Sequence, residues 1–217
     1  MLGLNLIQTA AVMVLPLLFA ITVHEAAHGW MARRLGDRTA EMLGRLSLNP
    51  LKHIDPIGTI LVPGILLIAG GFIFGWAKPV PVDARNLRHP QRDMAAVAAA
   101  GPMANLVMAF IWALIAKLGL ALATVSPWLS VPLVLMGKVG IFLNAILMVL
   151  NMLPLPPLDG GRVLIGLLPA SMADKVARIE PYGMFILVGL MVSGMLGQLI
   201  GPPVLLLERL LVLLVGI

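Results

Sequence analysis

The chain has 217 residues, 60% hydrophobic and only 12% charged, with a mean hydropathy of +1.01. A soluble surface needs roughly 25–35% charged residues, so a soluble enzyme and a disordered chain are both disfavoured. The formal charge of +5 does not favour nucleic-acid binding either, because the basic residues sit in loops between apolar runs. An integral membrane protein remains, read as one membrane-embedded domain over 1–217. With no cysteine, any metal must be held by His, Asp or Glu.

The N-terminal MLGLN has no basic region, so no signal peptide is read. A span needs about 20 apolar residues. Leu4 to Trp30 is the first such run, and its last third holds His24, Glu25 and His28. Residues 31–56 are mixed and basic. Ile57 to Phe74 is apolar again, but Pro63, Gly64, Gly70 and Gly71 break it. Residues 75–93 are polar. Met94 to Leu122 is an alanine-rich helix candidate, and residues 123–130 form an uncharged turn. Val131 to Leu153 is the next span, followed by a turn rich in proline and glycine at 154–161. Residues 162–181 suit a surface segment, and Tyr182 to Ile200 reads as a further span. Val204 to Ile217 is short and holds Glu208 and Arg209, so it tilts, spans poorly or lies at the interface.

His24-Glu25-Ala26-Ala27-His28 is an HExxH pattern. On a helix, residues i and i+4 share a face, so both imidazoles can reach one zinc ion. Glu25 is placed to reach a zinc-bound water, whose pKa zinc lowers to about 7, and to act as general base. Ionisable groups within a span default to functional sites, because each costs about 2.5–3.5 kcal/mol to insert. A structural hydrogen-bonded cluster is the competing explanation. Candidates for a third ligand are His53, Asp55, Asp83, His89 and Asp159. Asp159 is preferred. It directly follows an apolar span, between prolines 154, 156 and 157 and glycines 160 and 161. Irregular backbone at membrane depth is tolerated only against protein or a wet cavity. A helix N-cap is the alternative reading of Asp159.

A topology follows if His24, His28 and Asp159 share one ion. Their helices then run in the same direction, and an odd number of crossings separates them. The 94–122 helix is one crossing, so the 57–74 run crosses zero times, as a re-entrant hairpin. Loop charge agrees with this. Residues 31–93 then share one side with nine basic residues, and 123–130 has none. The site is therefore expected toward the cytoplasmic side, in the plasma membrane. The expected fold is an all-α polytopic membrane protein. Three transmembrane helices carry the zinc site, a re-entrant hairpin and short edge strand lie between the first two, and one or two further spans follow. The catalytic core covers about 4–165, and the C-terminal spans about 182–217.

The chain resembles the site-2 protease family of intramembrane zinc metalloproteases, in a short bacterial form without a PDZ insertion or regulatory tail. The resemblance rests on HEAAH at 24–28, FGWAKPVPV at 74–82, AGPMAN at 100–105 and NMLPLPPLDGGR at 151–162. It implies hydrolysis of a peptide bond in or near the transmembrane segment of a membrane-protein substrate. It also implies one Zn²⁺ per chain on His24, His28 and Asp159, with Glu25 as general base. Asn151 carries over as a polar residue contacting substrate, and Asn105, which matches the family's Gly-Pro helix, is expected to do the same.

Small residues at Ala100-Gly101-Pro102 let a neighbouring helix approach closely, and the first helix is the expected neighbour. Asn144 reads as a helix–helix hydrogen bonder. Along 75–82, Pro79 and Pro81 blunt one edge of an extended segment. The other edge, at Lys78, Val80 and Val82, can pair with an unwound substrate, and a plain connecting loop is the alternative. His53 and Asp55 can anchor the hairpin, and a second metal site is a weaker reading. Two competing classes remain. A transporter or channel explains the composition but not HExxH with the Asp-Gly-Gly turn. An inert binding homologue is opposed by the intact Glu25.

Overall fold

A computed structural model describes residues 6–62, 65 and 75–217. The chain folds into helices, and no strand forms among the described residues. Four helices are long and apolar enough to cross a membrane: Ala10–Leu35, Pro90–Ala121, Pro127–Asn151 and Met195–Val215. With the first of these begins the layout. α1 (Leu6–Leu35) leads through a short α2 (Thr39–Met42) and the 43–89 segment to α3 (Pro90–Ala121). α4 (Pro127–Asn151) returns, and α5 (Asp159–Leu167), α6 (Ala170–Ala177), α7 (Glu180–Val192) and α8 (Met195–Val215) follow.

Small residues set the approach of the spans. In α4, Gly140 faces the Trp112 ring, and a methyl built there would lie 2.6 Å from Trp112 Cδ1. One turn away, a methyl on Gly137 would lie 2.6 Å from Ala116 Cβ. Close backbone approach of this kind drives packing where lipid removes the hydrophobic gain. Around this seam, Ala109, Trp112, Ala113, Ile141, Leu211 and Val215 form an apolar cluster that joins α3, α4 and α8. Lys117 near the end of α3 donates to the Val215 carbonyl, so α3 and α8 end at the same side.

At the other side, α1 ends at Gly36, whose φ of +119° few other residues adopt. Asp37 follows, fully buried. Its Oδ1 accepts from Thr39 N (3.0 Å) and Asn86 Nδ2 (3.0 Å), and its Oδ2 from Asp83 N (2.8 Å). This carboxylate ties the end of α1 to the 83–86 turn. Burial pushes the Asp37 carboxyl up, but the donors from Thr39, Asn86 and Asp83 outweigh it and hold the group below its ordinary range.

The expected hairpin begins at a π-helical turn, Pro56–Leu61, capped by Asp55. Asp55 Oδ1 accepts from Ile57 N and Gly58 N at 2.9 and 2.8 Å. Trp76 N–H donates to the Gly58 carbonyl at 3.0 Å. Gly58 and Trp76 are therefore neighbours. The rest of the 57–74 run lies outside the described residues, apart from Val62 and Ile65.

Two expectations need correction. The 75–83 segment is extended but has no ladder partner, so it is a strap and not an edge strand. The 182–200 span is not one helix. α7 has 13 residues and stops before Gly194, at φ +75°. α8 then runs 21 residues straight through Pro202 and Pro203. The break falls at Ser193-Gly194 because only glycine enters the left-handed region cheaply.

Candidate metal centre

His24 and His28 lie one turn apart on α1, and Asp159 opens α5. The polypeptide brings Asp159 in by a compact turn. A methyl on Gly160 would lie 2.5 Å from the Leu153 carbonyl oxygen, and one on Gly161 2.5 Å from the Leu155 carbonyl carbon. Only glycine lets the start of α5 sit this tightly on the proline-rich turn.

The three side chains converge. His24 Nε2 is 3.0 Å from His28 Nε2 and 3.2 Å from Asp159 Oδ2, and His28 Nε2 is 3.4 Å from the same oxygen. The proton positions follow from the partners. His28 Nδ1 faces the Val97 carbonyl at 2.8 Å, which can only accept, so Nδ1 carries the proton. Asn105 Nδ2 donates to the carbonyl of Ala20 (3.1 Å) and to Asn144 Oδ1 (2.9 Å). Its Oδ1 is therefore the atom facing His24 Nδ1, which must donate. Both Nε2 atoms then present lone pairs. Asp159 Oδ2 is buried without a hydrogen-bond donor. Three lone pairs aimed at one point repel unless a cation sits among them. Four-coordinate zinc, with bonds of about 2.0–2.1 Å, separates neighbouring ligand atoms by about 3.3–3.4 Å. The observed spacings, 3.0 to 3.4 Å, lie within a few tenths of an ångström of that. Among the described residues this is the one such cluster of His, Asp or Glu.

Gly101 of α3 lies directly against the pair. A methyl there would be 2.7 Å from His24 Cε1 and closer still to His28 Nε2. The small-residue step expected at 100–102 thus seats the imidazoles themselves. Glu25 is half-buried, and its Oε2 accepts the Val80 N–H at 2.8 Å. Pro79 and Pro81 have no N–H, so Val80 supplies the one main-chain donor between them.

This site and the four apolar helices set the frame for comparison. The sequence profile of peptidase family M50 matches residues 12–125 and 129–194.

The chain belongs to that family.

It is 38% identical over 192 residues to YwhC of Bacillus subtilis, named as a candidate zinc metalloprotease, covering 88% of this chain and 84% of that one. Rip2 of Mycolicibacterium smegmatis, named likewise, is 32% identical over 83% of this chain and 66% of its own. Protease RseP of Yersinia pestis is 29% identical over half of this chain and a quarter of its own length. No solved structure matches the chain. M50 is the site-2 protease family that the motifs resemble, and the protein is a multi-pass membrane protein.

The residues expected to contact substrate fall differently. Asn105 is fully buried behind His24 with both ends of its amide engaged, so it cannot touch a substrate. Asn144 supports it in turn, donating to the Gly140 carbonyl at 2.8 Å. Asn151 is half-buried at the end of α4 and donates to the Leu147 carbonyl at 2.9 Å. In the strap, Lys78 N–H donates to the His53 carbonyl (2.9 Å) and Val80 N–H to Glu25. Two of the three donors expected to face a substrate are therefore spent internally. Val82 N–H alone has no partner among the described residues. His53 is buried, with Nε2 2.8 Å from the Ser47 carbonyl, and serves as an anchor for the strap. Sequence reasoning missed Arg45, whose Nη2 donates to the Lys78 and Pro79 carbonyls at 3.0 and 3.3 Å. No spacing rule links positions this far apart in the chain.

Proposed function

We propose that this protein is an intramembrane zinc protease that cuts a peptide bond in or near a substrate's transmembrane segment. The observation that carries the reading is the convergence of His24 Nε2, His28 Nε2 and Asp159 Oδ2, with Glu25 on the same helix. The donor set of two imidazoles and one carboxylate suits zinc and leaves a fourth position open. The names of YwhC and Rip2 support the same ion. When bound there, zinc supplies Lewis acidity toward a peptide carbonyl and toward water.

The chain's own groups do the rest. Val97 and Asn105 fix the two imidazoles by their Nδ1 protons, so that each Nε2 points inward. Glu25 takes a proton from the attacking water and passes it to the leaving nitrogen. The Val80 N–H holds one Glu25 oxygen, which leaves Oε1 as the basic edge. A substrate helix must unwind before its carbonyl can enter, and Val82 and Asn151 remain as groups to hold the opened chain. The reading places the site toward the cytoplasm, in the plasma membrane. Supporting it, the Arg88 N–H donates to the Leu35 carbonyl (3.2 Å), which sets the basic 31–56 and 75–93 segments at one end of the bundle.

The test is cleavage of a model transmembrane substrate by purified protein, with the cut located by mass spectrometry. Wild type is expected to cut within or beside the span, and Glu25→Gln to lose roughly 10²- to 10⁴-fold in rate. Undiminished cleavage by Glu25→Gln would sink the mechanism.

A further inference from the structure

α8 carries two charges within a membrane span. Its 21 residues cover about 31 Å, and Glu208 and Arg209 lie about 10 Å inside its C-terminal end. Charges at that depth each cost several kcal/mol unless paired, and they face protein or water as a rule. Neither forms an ion pair or hydrogen bond among the described residues, and the remaining residues carry no charged side chain. Neighbours on a helix point about 100° apart, so the two cannot satisfy each other. Helical side chains lean toward the N-terminus. For α8 that direction leads away from the nearer membrane surface, so Arg209 is badly placed to reach it.

α8 packs on the bundle through Leu196, Val204, Leu211 and Val215. Arg209 is exposed on a different face, and Glu208, half-buried, stands at the border between that face and the packed one. Leu205, which is 54% exposed, projects within about 10° of the direction midway between the two residues. Toward the same side lies Gly201, with nothing within 4 Å of a built methyl. A small residue there lets a second membrane helix approach closely.

We propose that this face of α8 is a dimer interface with a second copy of the same chain. The charge arrangement selects that occupant. Two copies in one membrane share an orientation, so their two-fold axis lies along the membrane normal. Such an axis keeps every residue at its own depth. It also sets the left flank of one helix opposite the right flank of the other. Each Glu208 therefore meets the partner's Arg209 at nearly equal depth, twice over, with Leu205 and Gly201 on the axis. The face is self-complementary, as an isologous contact requires. The proposal needs only that the chain spans a membrane and does not rest on its catalytic reading.

The chain has no cysteine, so single cysteines can report the contact in intact membranes. Leu205→Cys is expected to cross-link to a species of twice the chain mass. Leu210→Cys, equally exposed on the far side of α8, is not. Glu208→Arg or Arg209→Glu in the Leu205→Cys background should each lower the cross-linked fraction several-fold. The double swap Glu208→Arg/Arg209→Glu should restore it, because the reversed pairs again match. Lys138 of α4 is another charge within a span and forms no ion pair with Glu208, so Lys138→Leu should leave the fraction unchanged. Equal cross-linking at 205 and 210, an adduct with a different protein, or a double swap no better than the single ones would overturn the proposal. So would loss of the dimer in Lys138→Leu.

Discussion

His24 and His28 owe their roles to groups outside the HExxH pattern. The pattern fixes two imidazoles on one helical face, but it says nothing of which nitrogen carries the proton. Val97 and Asn105 decide that, and Asn144 holds Asn105 in place. Outer groups of this kind typically contribute 10- to 100-fold in metal affinity. Asn105→Ala is therefore expected to weaken zinc binding by about that factor, measured by chelator competition on the purified protein. Unchanged affinity would mean that packing alone orients His24. The clustering of His24, His28 and Asp159 was legible from the sequence because helical spacing and a charged turn beside a span are local signals. The role of Asn105 was not, since it depends on the register of α3 against α1. Its Oδ1 faces a residue 81 positions away.

Gly101 and Gly140 look alike as small residues in spans, but they do different work. Gly101 makes room for the imidazoles, and Gly140 for the Trp112 ring. Gly101→Ala should therefore displace His24 and His28, lowering zinc content and cleavage together. Gly140→Ala overpacks the seam between α3 and α4 and should cost about 1–3 kcal/mol of stability, with zinc content retained. Thermal unfolding and metal analysis on the same two samples separate these outcomes. The strap is the other element whose position matters. Arg45 pins its carbonyls, and Val80 presents its N–H to Glu25. Arg45→Ala should reduce kcat/KM roughly 10-fold through a misplaced base, with zinc content unchanged. The alternating prolines made an extended segment legible at 75–82. They could not show that its free donors turn inward, because Glu25 and His53 approach only in the folded chain. The helix break at Gly194 was missed for a related reason. The apolar run hides a left-handed glycine, while the visible Pro202-Pro203 pair sits inside a continuous helix.

At the level of the whole molecule, four helices long and apolar enough to cross a membrane make up the described bundle, and α1, α3 and α5 meet at a common end. Chain direction and loop charge made that topology derivable, and the Trp76–Gly58 hydrogen bond agrees with it. Asp37 fastens this end, and its carboxyl is held below its ordinary value. Hydrogen bonds from Arg85 to Asp83 and from Arg38 to Glu41 lower those two carboxyls as well. A lowered folded value means that the stabilisation is whole above the unfolded carboxylate value of about 4. It is lost as pH falls through the folded values. Thermal stability should therefore drop below about pH 4, and Asp37→Asn should be less stable at neutral pH and less sensitive to acid. Equal acid sensitivity in the two proteins would count against Asp37 as the fastening.

The most direct check is zinc stoichiometry and substrate cleavage measured together on wild type, Glu25→Gln and Asp159→Ala. Wild type should hold one zinc per chain and cut. Glu25→Gln should hold the same zinc without cutting, and Asp159→Ala should lose both. Full zinc in Asp159→Ala, or cleavage by Glu25→Gln at the wild-type rate, would contradict the account.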